Sequence, residues 1–156
     1  MSAAPTASGR LAALGLTLPP VAAPQAAYVP AVRTGNYIYV SGQLPFVDGK
    51  LRVTGKVGDS VSAADAAGLA RICALNALAA AASVAGGIDA ITRIVKVTGF
   101  VASAPDFTGQ PQVINGASEL LIEVFGEAGK HARSAVGMAV LPLDTPVEVE
   151  LIAEVA

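Results

Sequence analysis

Residues 147–155 alternate between apolar and mostly charged side chains. Because successive side chains of a β-strand point to opposite faces, this pattern predicts a strand with one buried face and one wet face. The inward set comprises Val147, Val149, Leu151, Ala153 and Val155. Such a strand belongs in a sheet that other elements cover on one face, and this constrains the architecture more than any other feature.

Two segments have the pattern of the covering helices. Residues 62–85 predict a long helix that Ser62 caps, with Asp65 three residues on, and that Gly86 ends. Residues 112–125 predict a second helix, whose apolar side chains recur at i, i+4 and i+7 after Pro111.

Aromatic and β-branched runs predict the other strands. These strands are residues 29–33, 37–43, 91–102 and 134–140, and Asp48-Gly49 predicts a tight hairpin turn between them. In strand 91–102 we expect Ile94, Lys96, Thr98 and Phe100 on one side. The order of elements predicts an α+β fold in which two helices pack on one face of a mixed sheet.

Residues 1–27 form an extension to the main domain, which we place at residues 28–156. We expect disorder at residues 2–8, a short helix at residues 10–14 and an extended linker at residues 18–24. A signal peptide is disfavoured because Pro19 and Pro20 interrupt the apolar run.

Composition indicates an oligomer. With 53% hydrophobic and only 14% charged residues, the chain is more apolar than a monomer of 156 residues requires, so we expect a homo-oligomer.

Charge and composition also bear on other partners and on location. A net charge of −2 does not indicate the basic surface that binds nucleic acid. The apolar run at residues 72–88 is mostly alanine and glycine, which favours a core helix over a membrane span. The single Cys73 fits a reducing compartment, and we expect a cytoplasmic protein.

Candidate chemistry lies near the C-terminus. Arg133 opens one apolar strand, and Glu148 and Glu150 alternate along the next, so a hairpin of these strands would place them together. Arginine grips carboxylates through two parallel hydrogen bonds, and glutamate moves protons. Arg133 could equally be an edge arginine paired with a glutamate, and the glutamates could be the wet face of a strand. We expect His131 to face solvent.

Other kinds of site are disfavoured. One His and one Cys make a zinc site improbable, and no phosphate-binding glycine loop follows a strand. Cys73 lies on the apolar face of a predicted helix, which favours a core position over a nucleophile.

Several ordered blocks resemble the YjgF/RidA family of reactive-intermediate deaminases, some of whose members carry an endoribonuclease label. The blocks are residues 33–36, 40–45, 95–101, 113–115, 132–136, 141–142 and 147–150. Together they span most of the chain from Tyr28 to Val155, and the extension resembles a longer-chain branch of the family.

The resemblance implies a homotrimer whose sheets form a central barrel, with a cleft at each subunit interface. It implies that Arg133 holds a substrate carboxylate and that Glu148 positions or activates water. We expect no cofactor, because an imine is already electrophilic, and no metal. Tyr28, Gly42 and Asn115 match residues that line the same cleft. Ala135 stands where many relatives carry cysteine, and Val29-Pro30 stands where relatives often have Ser-Gln.

The leading functional hypothesis is hydrolytic deamination of enamine or imine acids, such as 2-aminoacrylate, to 2-keto acids and ammonia. The alternative is a non-catalytic trimer that binds or senses a small carboxylic or keto acid. Ala135 and the apolar Val29-Pro30 rim favour this alternative slightly. RNA cleavage is a third and weaker hypothesis. It requires a basic groove, and the acidic composition of the chain argues against one.

Overall fold

The computed structural model describes residues 3–24 and 26–156. Its helices are α1 (Ala7–Ala13), α2 (Ala63–Ala85) and α3 (Gln110–Phe125). Its strands are β1 (Ala31–Thr34), β2 (Tyr37–Gln43), β3 (Ile91–Ala102), β4 (Ala132–Met138) and β5 (Val147–Val155). Short 3-10 turns lie at Ile88–Ala90, Gly126–Gly129 and Pro142–Asp144. Most elements begin within two residues of their predicted positions.

The five strands form one mixed sheet in the order β1-β2-β5-β3-β4, which confirms the predicted α+β class. Only β4 runs parallel to its neighbour β3, and the other pairs are antiparallel. The predicted hairpin of β4 and β5 is wrong, because β3 lies between them. The reason is the β3-α3-β4 crossover, which places β4 on one edge of β3 and leaves the other edge for β5.

Helices α2 and α3 cover one face of the sheet. The inward residues of β5 are all buried, as their alternation predicts. Ser62 caps α2, its Oγ accepting from the Asp65 amide at 3.1 Å, and Gly86 ends it with a φ of 89°. The two helices approach closely, since a Cβ atom on Gly116 of α3 would overlap the Ala67 carbonyl.

The buried face of α2 consists mainly of small side chains. Leu69 and Ile72 are only half-buried, whereas alanines such as Ala66, Ala70 and Ala77 are fully buried. Small side chains fill this face because α2 lies against both the sheet and α3. By length and composition α2 could also cross a membrane, but 61% of its most apolar window is buried within the fold, as in a core helix.

A bulge interrupts the alternation of β3. The register with β5 shifts between Ile94 and Lys96, so that Ile94 and Val97 are both fully buried. The prediction that Ile94 shares a side with Lys96 is therefore wrong. Beyond the bulge, Val97 and Gly99 face the helices, while Thr98 and Phe100 face the opposite side.

Helix α1 docks the extension onto the domain. Leu11 is 5% exposed within the main core, and α1 contacts α3. The Ser8 amide and Oγ donate to the Asp89 carboxylate at 2.8 and 2.6 Å, and these bonds lower the pKa of Asp89. The expected disorder at residues 2–8 is wrong at Ala7 and Ser8, while Ser2 lies outside the described residues.

The face of the sheet away from the helices is not covered by any described element, and we call it the open face. Large apolar side chains on it are 38–51% exposed: Val32, Tyr37, Tyr39, Val136 and Met138. These side chains lie on strands near the two edges of the sheet, and large exposed apolar side chains often mark an interaction surface.

Replacement of Leu11 by alanine is expected to lower the free energy of unfolding by about 2 kcal/mol, the lower end for a buried leucine, since α1 can undock locally. Urea unfolding followed by circular dichroism measures it. Leu14→Ala is the matched control, because Leu14 is 39% exposed beside the same helix. Equal effects of the two substitutions would show that α1 contributes no docking energy.

Candidate functional site

Arg133 lies on the face of β4 that points toward α3. It pairs in register with the buried Val97, and its Nη1 donates to Asn115 Oδ1 at 2.7 Å and to Ser118 Oγ at 3.3 Å. Among the described residues no carboxylate forms an ion pair with it. The alternative of an arginine paired with glutamate is therefore not seen, and the guanidinium keeps donors available for an external acid.

A serine and a histidine support this arginine. The Gly129 carbonyl lies 2.6 Å from His131 Nδ1, and a carbonyl only accepts, so Nδ1 carries the proton. His131 Nε2 then accepts from Ser118 Oγ at 2.8 Å, and the Ser118 oxygen accepts from Arg133. This chain of hydrogen bonds fixes the direction of the Ser118 hydroxyl and the position of the guanidinium.

His131 is thus half-buried, and the expectation that it faces solvent is wrong. Burial lowers its pKa, the Gly129 carbonyl partly offsets this, and the charge of Arg133 lowers it further. Neither Ser118 nor His131 stood out in the sequence. The only available signal was the position of Ser118 three residues after Asn115, which places both on adjoining parts of the helix surface.

Ala135 follows Arg133 on the same face of β4 and lies beside Gly99 of β3, half-buried against the core.

Cys73 is fully buried in the core. Burial raises the pKa of its thiol well above the ordinary value, with the charge of Glu148 as a second cause, and its Sγ contacts the Val147 carbonyl at 3.9 Å. A thiol held protonated in this way is a poor nucleophile.

Glu148 lies on the other face of the sheet, half-buried, in register with Phe100. Burial raises the pKa of its carboxyl, and the nearby Glu150 raises it further. Gly42 lies directly against it, because a Cβ atom on Gly42 would overlap the Glu148 carboxylate. A bulge between Val40 and Gln43 makes this approach possible.

Glu150 lies on the same face as Glu148, but its surroundings are different. It lines a depression of about 290 Å³ on the open face, together with Lys96, Thr98 and Tyr39. Glu148 is therefore the one of the two glutamates that lies against Gly42.

Tyr28 is 46% exposed and borders a crevice of about 30 Å³ beside Gly42. The crevice is also lined by linker residues 22–24, Pro30, Gln43, Leu44 and Phe46. The Val29 carbonyl accepts from Ser41 Oγ at 2.6 Å, which fixes the entry to β1 against β2.

The predicted site residues therefore fall into two groups. The arginine group comprises Arg133, Asn115 and Ala135, with Ser118 and His131 behind them. The glutamate group comprises Glu148, Gly42 and Tyr28. Between the Cα atoms of Arg133 and Glu148 the register leaves about 10 Å along the strands and about 10 Å across them. Because the two side chains also point to opposite faces, one chain does not bring the groups together.

The family model described as "YjgF/chorismate_mutase-like, putative endoribonuclease" matches residues 8–155. The chain belongs to this YjgF family. The match includes all of α1 except Ala7, so the family model covers most of the extension as well as the main domain.

Two proteins from other organisms are similar to most of this chain. The Trypanosoma cruzi protein TCP17 is 45% identical over 153 residues, which are 95% of this chain and 96% of TCP17. The Schizosaccharomyces pombe protein mmf1, named as mitochondrial, is 33% identical over 81% of this chain and 67% of its own length.

Solved structures share the fold. A protein of unknown function from Agrobacterium tumefaciens is 49% identical, with a TM-score of 0.87 over 97% of this chain and 94% of its own. E. coli TdcF, solved with bound serine, is 25% identical, with a TM-score of 0.63 over 90% of this chain and 96% of its own.

The support behind Arg133 is expected to depend on pH. The lowered pKa of His131 means that the unfolded chain binds a proton more readily, so this residue's contribution to stability is present above about pH 6.5 and is lost as the pH falls toward the folded pKa. His131→Gln removes the titration. The difference in unfolding free energy between wild type and this variant should shrink between pH 7.5 and pH 5.5 in urea titrations. A difference that stays constant would show that His131 is not held neutral.

Proposed function

We propose that the chain is a hydrolytic deaminase of small enamine or imine acids, which it converts to 2-keto acids and ammonia. The observation that carries the proposal is Arg133, a half-buried arginine held by Asn115 and Ser118 instead of a carboxylate. Its unpaired charge and free donors suit a ligand carboxylate. The related structure of E. coli TdcF was solved with bound serine, a small molecule that carries a carboxylate.

The proposed reaction divides the work between the two groups. Arg133 clamps the substrate carboxylate, which orients the adjacent C=N bond. Water attacks the imine carbon while Glu148 accepts a proton from it. Glu148 passes this proton to the imine nitrogen, which gives a carbinolamine. Glu148 then accepts the proton of the new hydroxyl group and passes it to the same nitrogen, so that the C–N bond breaks, ammonia leaves, and the carbon keeps the water oxygen as the new C=O. The raised pKa of Glu148 brings this carboxylate closer to the range in which a general base works near neutral pH.

The proposed site requires two copies of the chain. Arg133 and Glu148 point to opposite faces of one sheet, so a common substrate reaches both only if Glu148 comes from a neighbouring copy. The exposed apolar side chains of the open face supply a surface for such a neighbour. We therefore propose a homotrimer with inter-subunit clefts, consistent with the low charge of the chain.

The proposed partners are a small carboxylate substrate and other copies of this chain, with no cofactor or metal required by the chemistry. A net charge of −2 supports no nucleic-acid or membrane partner. We propose a cytoplasmic location from the unpaired Cys73, although the relative mmf1 is named as mitochondrial.

A second candidate function is binding or sensing of a small acid without turnover. Ala135 favours it, because its methyl group offers no thiol or hydroxyl to a ligand beside Arg133. The apolar Val29-Pro30 step beside Tyr28 adds no polar side chain either. The same arginine would hold a keto acid in both cases.

Arg133→Ala is expected to reduce keto-acid release at least a hundredfold, because the substrate loses its charged anchor. An amino-acid oxidase generates the imine in the assay, and keto acid is measured above the spontaneous background. Arg52→Ala is the control, since Arg52 is exposed in a loop outside both groups. Wild-type turnover in Arg133→Ala would exclude the mechanism. Background turnover in the wild type, with keto-acid binding lost only in Arg133→Ala, would favour the binding function.

Subunit complementation tests the shared site. Arg133→Ala and Glu148→Gln are each expected to be inactive, but co-expressed chains should regain about a quarter of wild-type activity, because random mixing leaves about a quarter of the clefts intact. Separately purified and unmixed variants serve as the control. No recovery in proven mixed oligomers would place the site within one chain.

A further inference from the structure

A cavity not described above lies between the extension and α2, away from Arg133 and Glu148. It has a volume of about 600 Å³, within the range of about 300–1,000 Å³ that small-molecule sites occupy. Its apolar wall includes Pro19, Val21, Ala22, Phe46, Ile72 and Leu75. Ile72 and Leu75 are large apolar residues of α2 that are only half-buried, and both line this cavity.

Asn76 supplies a polar group to the wall. It is 6% exposed, and its Nδ2 donates to the carbonyls of Leu44 and Phe46 at 2.9 and 3.1 Å. Two carbonyl acceptors fix the orientation of the amide, because only the NH2 group can donate to them.

The other amide atom, Asn76 Oδ1, has no hydrogen-bond partner in the described part of the chain. No fully buried side-chain oxygen or nitrogen of the described residues lacks a partner, so Oδ1 must be accessible. Since Asn76 lines the cavity and is otherwise enclosed, Oδ1 faces the cavity as an acceptor in need of a donor.

Charge separates this cavity from the Arg133 site. The only charged side chain on its described wall is Asp48, an acceptor in the exposed hairpin turn, and no cation lies there to hold a carboxylate. Both polar side chains of the wall therefore favour a donor and disfavour an anion.

We propose that this cavity binds an uncharged, mostly apolar small molecule, of the size of an indole or a phenol, whose N–H or O–H donates to Asn76 Oδ1. The linker at residues 19–23 is then one wall of a ligand site, which gives the extension a role beyond docking. This inference does not depend on the proposed deaminase function, since it uses neither Arg133 nor Glu148, although Ala22 and Phe46 also line the crevice beside Gly42.

Indole and 1-methylindole are the probes, titrated into the full-length protein by calorimetry or ligand-observed NMR. Indole should bind about three to ten times more tightly than 1-methylindole, which cannot donate a hydrogen bond. Ala22→Trp fills the cavity and should weaken indole binding at least tenfold. Ala12→Trp, on the exposed side of α1, is the matched control and should bind as wild type does.

Arg133→Ala should leave indole binding unchanged, and this separates the cavity from the acid site. The proposal is overturned if indole fails to bind, if Ala22→Trp binds it as wild type does, or if the N-methyl group makes no difference. A change of oligomeric state in Ala22→Trp without any indole binding to the wild type would also overturn it, because the cavity would then be a subunit contact.

Discussion

The β3-α3-β4 crossover is the constraint on which the site depends. A parallel crossover sets β4 on one edge of β3 and leaves the opposite edge to β5. Arg133 and Glu148, close in sequence, are therefore separated by a whole strand, and the alternation of side chains along β4 and β5 directs them to opposite faces. The same crossover stacks α3 over β4, and this is why Asn115 and Ser118 reach the guanidinium of Arg133. The crossover thus brings α3 to Arg133 and places Glu148 on the other side of β3.

The sequence predicted what depends on local periodicity. The alternation in β5 identified its buried set, and Ser62 and Gly86 marked the ends of α2 because caps act over a few residues. Pairing between β4 and β5 could not be predicted in this way, since it depends on which edge of β3 is free. The bulge at Ile94 also escaped prediction, because it follows from register with β5 and not from the composition of β3.

In the candidate site, Arg133 contacts Asn115 and Gly42 approaches Glu148, whereas the resemblance implied one cleft that holds all four residues. The roles assigned to these residues remain proposals. Ser118 and His131 were missed because each looks ordinary alone: a serine on a helix and a histidine after a glycine-rich turn. Their significance comes from a tautomer that the Gly129 carbonyl fixes, which only three-dimensional geometry reveals.

The opposite orientation of the two groups has a genetic consequence. In an assembly of the proposed kind, each chain lends its arginine to one cleft and its glutamate to another. A chain that lacks both side chains but still assembles would silence the clefts on both of its sides, including catalytic groups on intact neighbours. Such an allele would behave as a dominant negative, whereas an allele that prevents folding, and therefore assembly, would be recessive.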